Sequence, residues 1–225
     1  MTTWQRWFSG LLALALLAAL APAGRAQFSK DERQQKALDA LKKLAAKIQL
    51  DTIDDALVIT RLELAGPEVN DRTMEMFQLL PPVHALYLTR TQVTDAGLEF
   101  LRGHTEMRVL FLTYSPITDR GVRNLSKLVN LEALGLSYTN LTDDGLADLE
   151  PFKKLQSLSL TQTRVGDAWL KHLTKLPMLV SLHLDGTQVS PAGIATLKSM
   201  PLKSLSYSGT RAVVDGVDGF RKKGP

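Results

Sequence analysis

The chain has 225 residues, with 27 Lys or Arg against 23 Asp or Glu, and it contains no cysteine. That length suits one domain with a continuous core. Without cysteine there is neither a disulfide framework nor a thiol-anchored lipid, so packing alone must stabilise the fold.

Residues 1–26 read as a secretory signal peptide. Arg6 supplies the positive start, Phe8 to Ala21 the apolar stretch, and Ala21-Pro22-Ala23 or Gly24-Arg25-Ala26 the small-residue cleavage site. The apolar stretch is shorter than the ~20 residues of a comfortable membrane span. The expected product is exported, periplasmic or extracellular, with no stable membrane insertion after cleavage. Removing Arg6 and Arg25 with the leader lowers the 27 basic residues to 25, against 23 acidic ones. Such a near-neutral chain, with no basic stripe interleaved with aromatics, is not expected to bind nucleic acid.

Residues 27–58 read as an N-terminal helical cap. Ser29 and Glu32 have capping-box spacing, and Leu38, Leu41, Leu44, Ala45 and Ile48 form one apolar stripe. Repeat stacks need such cover at their ends; a partner-binding helix is the other use of the same stripe.

A frame of 24 residues then recurs, with copies starting at Val83, Met107, Leu131, Leu155 and Leu179. A degenerate copy begins at Ile59 and a shortened one at Leu202, making about seven repeats over residues 59–220. Units of this length cannot bury their own apolar faces and must stack into a solenoid. Leu86 with Leu88, Leu110 with Leu112, Leu134 with Leu136, Leu158 with Leu160 and Leu182 with Leu184 alternate as in a strand with one buried face. In the second half of a copy, apolar residues such as Leu146, Leu149 and Phe152 recur at helical spacing. Thr94-Asp95, Thr118-Asp119 and Thr142-Asp143 precede these helices, where short polar side chains cap free N–H groups. Gly97, Gly121, Gly145 and Gly193 follow, suggesting close packing of neighbouring copies, and Trp169 in that place predicts a local rearrangement. Residues 221–225 form a basic tail. No apolar cap follows Phe220, so that end is either frayed or meets another molecule.

Written by position, the frame is LxxLxLxxTx(V/I)TDxGLxxLxxL. It resembles the leucine-rich repeat family, in the bacterial secreted form that has Thr in place of the more familiar Asn. It is also similar to the repeats of F-box proteins, although no F-box is present. The resemblance implies an α/β leucine-rich repeat solenoid: a right-handed curved stack with short parallel strands on the concave face and helices outside. It further implies a protein or peptide ligand and no catalysis.

Catalytic and metal chemistry find little support in the residues. His84, His104, His172 and His183 occupy four different frame positions and do not converge as metal ligands must. The row Asp95, Asp119, Asp143 and Asp167 would suit Ca²⁺, but helix capping accounts for it without a metal. The Thr row at 91, 139, 163, 187 and 210, with Ser115, reads as structural. No phosphate-binding loop, dinucleotide fingerprint, zinc-protease motif or nucleophile elbow occurs. No enzyme, cofactor or metal is expected.

The outward side of each strand is free to vary. Glu63, Tyr87, Phe111, Gly135, Ser159, His183 and Ser206 stand between the two strand leucines, and three residues later come Gly66, Arg90, Tyr114, Tyr138, Gln162, Gly186 and Gly209. Tyr87, Phe111, Tyr114 and Tyr138 therefore cluster on consecutive repeats beside Arg90, and Tyr and Arg are enriched at binding hot spots. The candidate partner-binding residues are Tyr87, Arg90, Phe111, Tyr114, Tyr138 and His183; mutual cover of the sheet face is the bland alternative. The expected function is an exported, non-catalytic binder of a protein or peptide that carries an apolar anchor and an acidic group for Arg90 or Arg61. The alternative is a self-associating structural component of the cell envelope, joined through the end after Phe220 or the Ser29–Ile48 helix. Sugars, which also stack on aromatic rings, are a third possibility.

Overall fold

Each copy of the frame lays down one strand, and each strand pairs in phase with the next. The computed structural model describes residues 30–44, 47–197 and 200–211. Residues 1–26, which the sequence suggests are a signal peptide, lie outside the described residues, as do Ser29, Ala45, Phe220 and residues 221–225. One eight-stranded sheet runs in chain order: β1 (Lys47–Ile53), β2 (Ala56–Ala65), β3 (Ala85–Thr89), β4 (Val109–Thr113), β5 (Ala133–Gly135), β6 (Ser157–Ser159), β7 (Ser181–His183) and β8 (Ser204–Ser206). From β2 onward the pairing is parallel, setting Leu62, Leu86, Leu110, Leu134, Leu158, Leu182 and Leu205 side by side. The strand leucines on the inner face are buried almost without exception, and Phe77, Phe152 and Trp169 are the bulkiest side chains sealed in the same core.

The N-terminal cap differs from the sequence expectation. Helix α1 covers only Lys30–Lys43, burying Ala37, Leu38, Ala40 and Leu41. Ile48 is not on it. It lies in β1, opposite Leu62, and β1 runs antiparallel to β2. Asp54 and Asp55 join the two strands with φ of 50° and 61°, the left-handed pair that a two-residue hairpin turn requires. Ile48 follows Leu44 at helical spacing, but it also fits the alternation of Lys47–Ile53, and the open edge of β2 supplies the hydrogen bonds that decide the matter.

The outer segments are short. The α-helices α2 (Asp71–Glu75), α3 (Asp119–Asn124), α4 (Asp143–Leu146) and α5 (Pro191–Leu197) alternate with 3₁₀ turns such as Gly97–Leu101 and Leu170–Lys175. Leu98 and Leu101 are three apart because a 3₁₀ turn advances ~3 residues per turn. The hydroxyls of Thr139, Thr163, Thr187 and Thr210 donate to the carbonyls of Leu136, Leu160, Leu184 and Tyr207, so the buried Thr row closes the turn that leaves each strand.

The aspartates also act differently from the sequence expectation. Thr118 and Thr142 cap their own helices, accepting from the N–H groups of Arg120 and Asp144. The Asp at the next frame position, which follows Asn70, Thr94, Thr118 or Gly166, instead reaches the following repeat. Asp71 accepts from the N–H and hydroxyl of Thr94, both at 2.7 Å. Asp95 accepts likewise from Thr118, Asp119 from Thr142 at 2.9 and 2.6 Å, and Asp167 from Ser190. The carboxylate fills the space of the next frame glycine: a Cβ on Gly97, Gly121, Gly145 or Gly193 would collide with the preceding Asp. Here the glycine makes room for another residue's side chain. The copy carrying Trp169 breaks the pattern twice. Gly166 replaces the Thr and offers Asp143 only its N–H, at 2.7 Å, while the buried Trp169 indole N–H has no hydrogen-bond partner among the described residues.

This packing is open to test at two residues. Asp119→Ala strands the N–H and hydroxyl of Thr142 and is expected to lower unfolding free energy by about 1–3 kcal/mol in urea; a loss within the ~0.5 kcal/mol of an ordinary surface change would contradict the role given to it. The second is His104, which is 5% exposed, meets Phe77 edge-on and donates from Nε2 to the Phe77 carbonyl at 3.0 Å. Burial pushes its pKa below the usual imidazole value, with the carbonyl opposing that shift. The unfolded chain therefore takes up the proton first. The stabilisation is complete above the unfolded value of about 6.5 and is lost as pH falls toward the lower folded value. Thermal midpoints measured roughly one pH unit above and below that unfolded value should diverge less in His104→Gln than in the parent. Equal divergence would place the titrating group elsewhere.

Candidate functional site

Because the repeats stack in register, two frame positions become two rows on the concave face. The first row stands on the strands. Tyr87 and Phe111 stack with centroids 5.3 Å apart and planes 12° from parallel. Phe111 leans over Gly135, where any Cβ would overlap its ring. At the other end the Arg61 guanidinium lies 4.2 Å from the Tyr87 centroid and hydrogen-bonds Glu63. That bond holds the Glu63 carboxyl below its usual range. Arg61 is thus committed within the protein.

The second row sits where the chain leaves each strand, and it has a backbone property that sequence reasoning overlooked. Gly66, Arg90, Tyr114, Tyr138, Gln162, Gly186 and Gly209 all have positive φ, of 100°, 53°, 57°, 58°, 57°, 67° and 66°. Glycine adopts this conformation freely, whereas an L side chain there costs ~1–2 kcal/mol. Three copies use glycine; four consecutive copies carry long side chains. The three glycines in one column were the available signal.

Tyr114 and Tyr138 stack 4.0 Å apart at 15°, and the Arg90 guanidinium lies 5.2 Å from the Tyr114 centroid. Each tyrosine remains 42% exposed, so ring edges and phenol oxygens face outward while ring faces are largely used in stacking. Hydrogen bonding with Tyr114, reinforced by its charge and by Asp185, raises the Tyr138 phenol above its usual pKa. Beyond Tyr138 opens a hollow of about 460 Å³ lined by Asn140, Gln162, Arg164 and Gly186. Its lining is polar. Among the described residues no carboxylate pairs with Arg90.

Five of the six candidate residues, Tyr87, Arg90, Phe111, Tyr114 and Tyr138, thus come together in adjacent rows. His183 lies apart, in β7, after Gly135 and Ser159 in its row. Its Nδ1 is 2.9 Å from the Ser206 hydroxyl and its Nε2 is 3.2 Å from that of Ser181. The Ser206 hydroxyl donates to Asp185, which leaves its oxygen to accept from Nδ1–H, so Nε2 accepts from Ser181. Of the other histidines, His84 is 3.4 Å from Glu106 and His104 is buried against Phe77. Among the described residues no group of three or more His, Cys, Asp or Glu is placed to hold a metal ion. Asn140 and Arg164 were not anticipated, and Gln162, already in the second row, covers the place of a Cβ at Gly186.

No protein-family model matches the chain, and no curated protein sequence matches it either. Solved structures do. An internalin C2 from Listeria monocytogenes superposes with a TM-score of 0.52 at 24% identity, over 68% of this chain and 73% of that one. An internalin (inlF) from the same organism gives 0.52 at 21% identity over 88% of this chain, which spans only 56% of that protein's length. At these identities the likeness speaks of architecture alone: the chain folds as an α/β leucine-rich repeat solenoid.

Proposed function

We propose that this is an exported, non-catalytic protein whose concave face binds a protein or peptide at the Arg90–Tyr114–Tyr138 row. The carrying observation is the run of four long side chains held in left-handed backbone where other copies use glycine. Strain of this kind persists where surrounding structure or function retains it. The Tyr114–Tyr138 stack recovers about 0.5–1.5 kcal/mol of the cost. Arg90 has the looser contact of its guanidinium with the Tyr114 ring at 5.2 Å, and among the described residues Gln162 has no ring stack. Cover of the sheet does not demand aromatic rings, since Ser159 and Ser206 occupy the same column as Tyr87 and Phe111.

The geometry narrows the ligand. With ring faces stacked, a partner meets ring edges and phenol oxygens, which suits hydrogen-bonding contact by rigid amphipathic side chains. An acidic group fits Arg90 better than Arg61, which Glu63 already holds. The hollow beside Tyr138 favours a polar group over an apolar anchor. The solenoid architecture offers a continuous surface suited to an interaction scaffold, and residues 1–26 support export.

Crosslinking pull-down from cell-envelope extract tests this, comparing the parent with Arg90→Ala/Tyr114→Ser/Tyr138→Ser after circular dichroism shows both folded. A partner retained by the parent should fall at least about tenfold in the variant, as loss of a hot spot requires. Equal capture by both would remove the site from this row.

A further inference from the structure

The N-terminal edge of the sheet carries features that the concave rows do not use. Among the described residues β1 is paired on one side only, to β2, and every residue of it except Ile48 is exposed. A long open edge is a template for another strand, and proteins usually blunt such edges. This edge carries the exposed charges of Lys47 and Asp51 and a register shift between Gln49 and Leu50, yet apolar side chains are exposed beside them: Leu50, Ile53 and, across the turn, Leu57 are 43%, 41% and 40% exposed. Lys47 and Gln49 oppose Glu63 and Arg61 on the concave side, and Asp51 continues that alternation. Ile48 and Leu50 oppose the buried Leu62 and Ile59 on the inner side.

This pattern is self-complementary. An antiparallel strand of the same sequence, centred on Gln49, sets Lys47 opposite Asp51 twice on one face and Ile48 opposite Leu50 twice on the other. Cross-strand pairs of opposite charge and of apolar residues both stabilise a sheet. Centring on Leu50 would instead place Lys47 opposite Ile53 and Gln49 opposite Asp51, matching neither charge nor hydrophobicity. Lys47 is available for such a pair: its side chain is 62% exposed and 3.7 Å from Glu63, whose carboxylate Arg61 already holds.

We propose that β1 pairs antiparallel with β1 of a second copy about a two-fold axis at Gln49, fusing two eight-stranded sheets into one. The pairing closes on itself, so association stops at the dimer and consumes the edge that would otherwise recruit strands indiscriminately. Both concave rows stay open, which makes the dimer independent of ligand binding.

Sedimentation equilibrium over a wide concentration range tests it, on protein expressed from the full coding sequence and verified as folded by circular dichroism. The parent should dissociate from dimer to monomer on dilution. Lys47→Glu and Asp51→Lys should each weaken the dimer about tenfold by setting like charges opposite one another. The double variant Lys47→Glu/Asp51→Lys should restore it, and Leu50→Lys should leave only monomer. A parent that is monomeric throughout, an assembly indifferent to all four variants, or a double reversal that fails to restore pairing would each overturn the proposal.

Discussion

The carboxylate that links one repeat to the next is the interaction on which the stack depends. On the concave side, neighbouring repeats are joined by a backbone ladder that any sequence of suitable pattern can make. Past the strands it continues as one backbone bond at several junctions, from the N–H groups of Gln92, Asn140, Arg164 and Gln188 to the carbonyls of Val69, Ile117, Leu141 and Val165, and among the described residues it goes no further into the short outer turns. Asp71, Asp95, Asp119 and Asp167 fill that gap, each accepting from the backbone and hydroxyl of the residue 23 positions on. The hydroxyl receiving this anchor in turn accepts from its own helix, at Ala96, Arg120, Asp144 and Gly193. One polar chain thus caps a helix and spaces two repeats. The frame glycine is the steric counterpart of that chain. The exception fits the same logic: where Gly166 removes the hydroxyl, Trp169 also replaces the glycine, and its ring fills the core.

Strict spacing on the outside has consequences on the inside. Parallel strands lie ~4.8 Å apart, so whatever occupies one frame position becomes a row at that pitch. Flat rings at that pitch stack on one another with little adjustment. Tyr87 on Phe111 and Tyr114 on Tyr138 are the result, each row opened by an arginine and ending over a glycine, Gly135 or Gly186. The stacking makes a rigid ridge from side chains that would otherwise sample several rotamers. A rigid ridge loses little conformational entropy on binding.

Much of this was legible in the sequence. The period, the buried leucines and the capping by Thr118 and Thr142 follow from local pattern, because each involves neighbours within one repeat. The role of Asp119 does not. Its position beside Thr118 suits a cap of its own helix equally well, and only the stacked neighbour shows where the carboxylate goes. The β1–β2 hairpin was missed because Ile48 satisfies both a helical stripe and a strand alternation. Positive φ along the second row was readable in Gly66, Gly186 and Gly209 but not in Arg90, Tyr114, Tyr138 and Gln162, whose long side chains seldom adopt it. The hydrogen bonds that occupy His183 join three strand positions and the Asp185 carboxylate, and no single repeat contains them all.

A double-mutant cycle between Asp71 and Gly97 tests the central claim most directly. If the glycine exists to admit the carboxylate, Gly97→Ala should cost about 1–3 kcal/mol in the parent by displacing Asp71 from Thr94, and far less once Asp71→Ala has removed the carboxylate. The two changes should then be strongly sub-additive in urea unfolding. Additive losses would mean that Gly97 is kept to clear the Val93 side chain, which a Cβ would meet at 2.9 Å, and the link between repeats would have to be sought elsewhere.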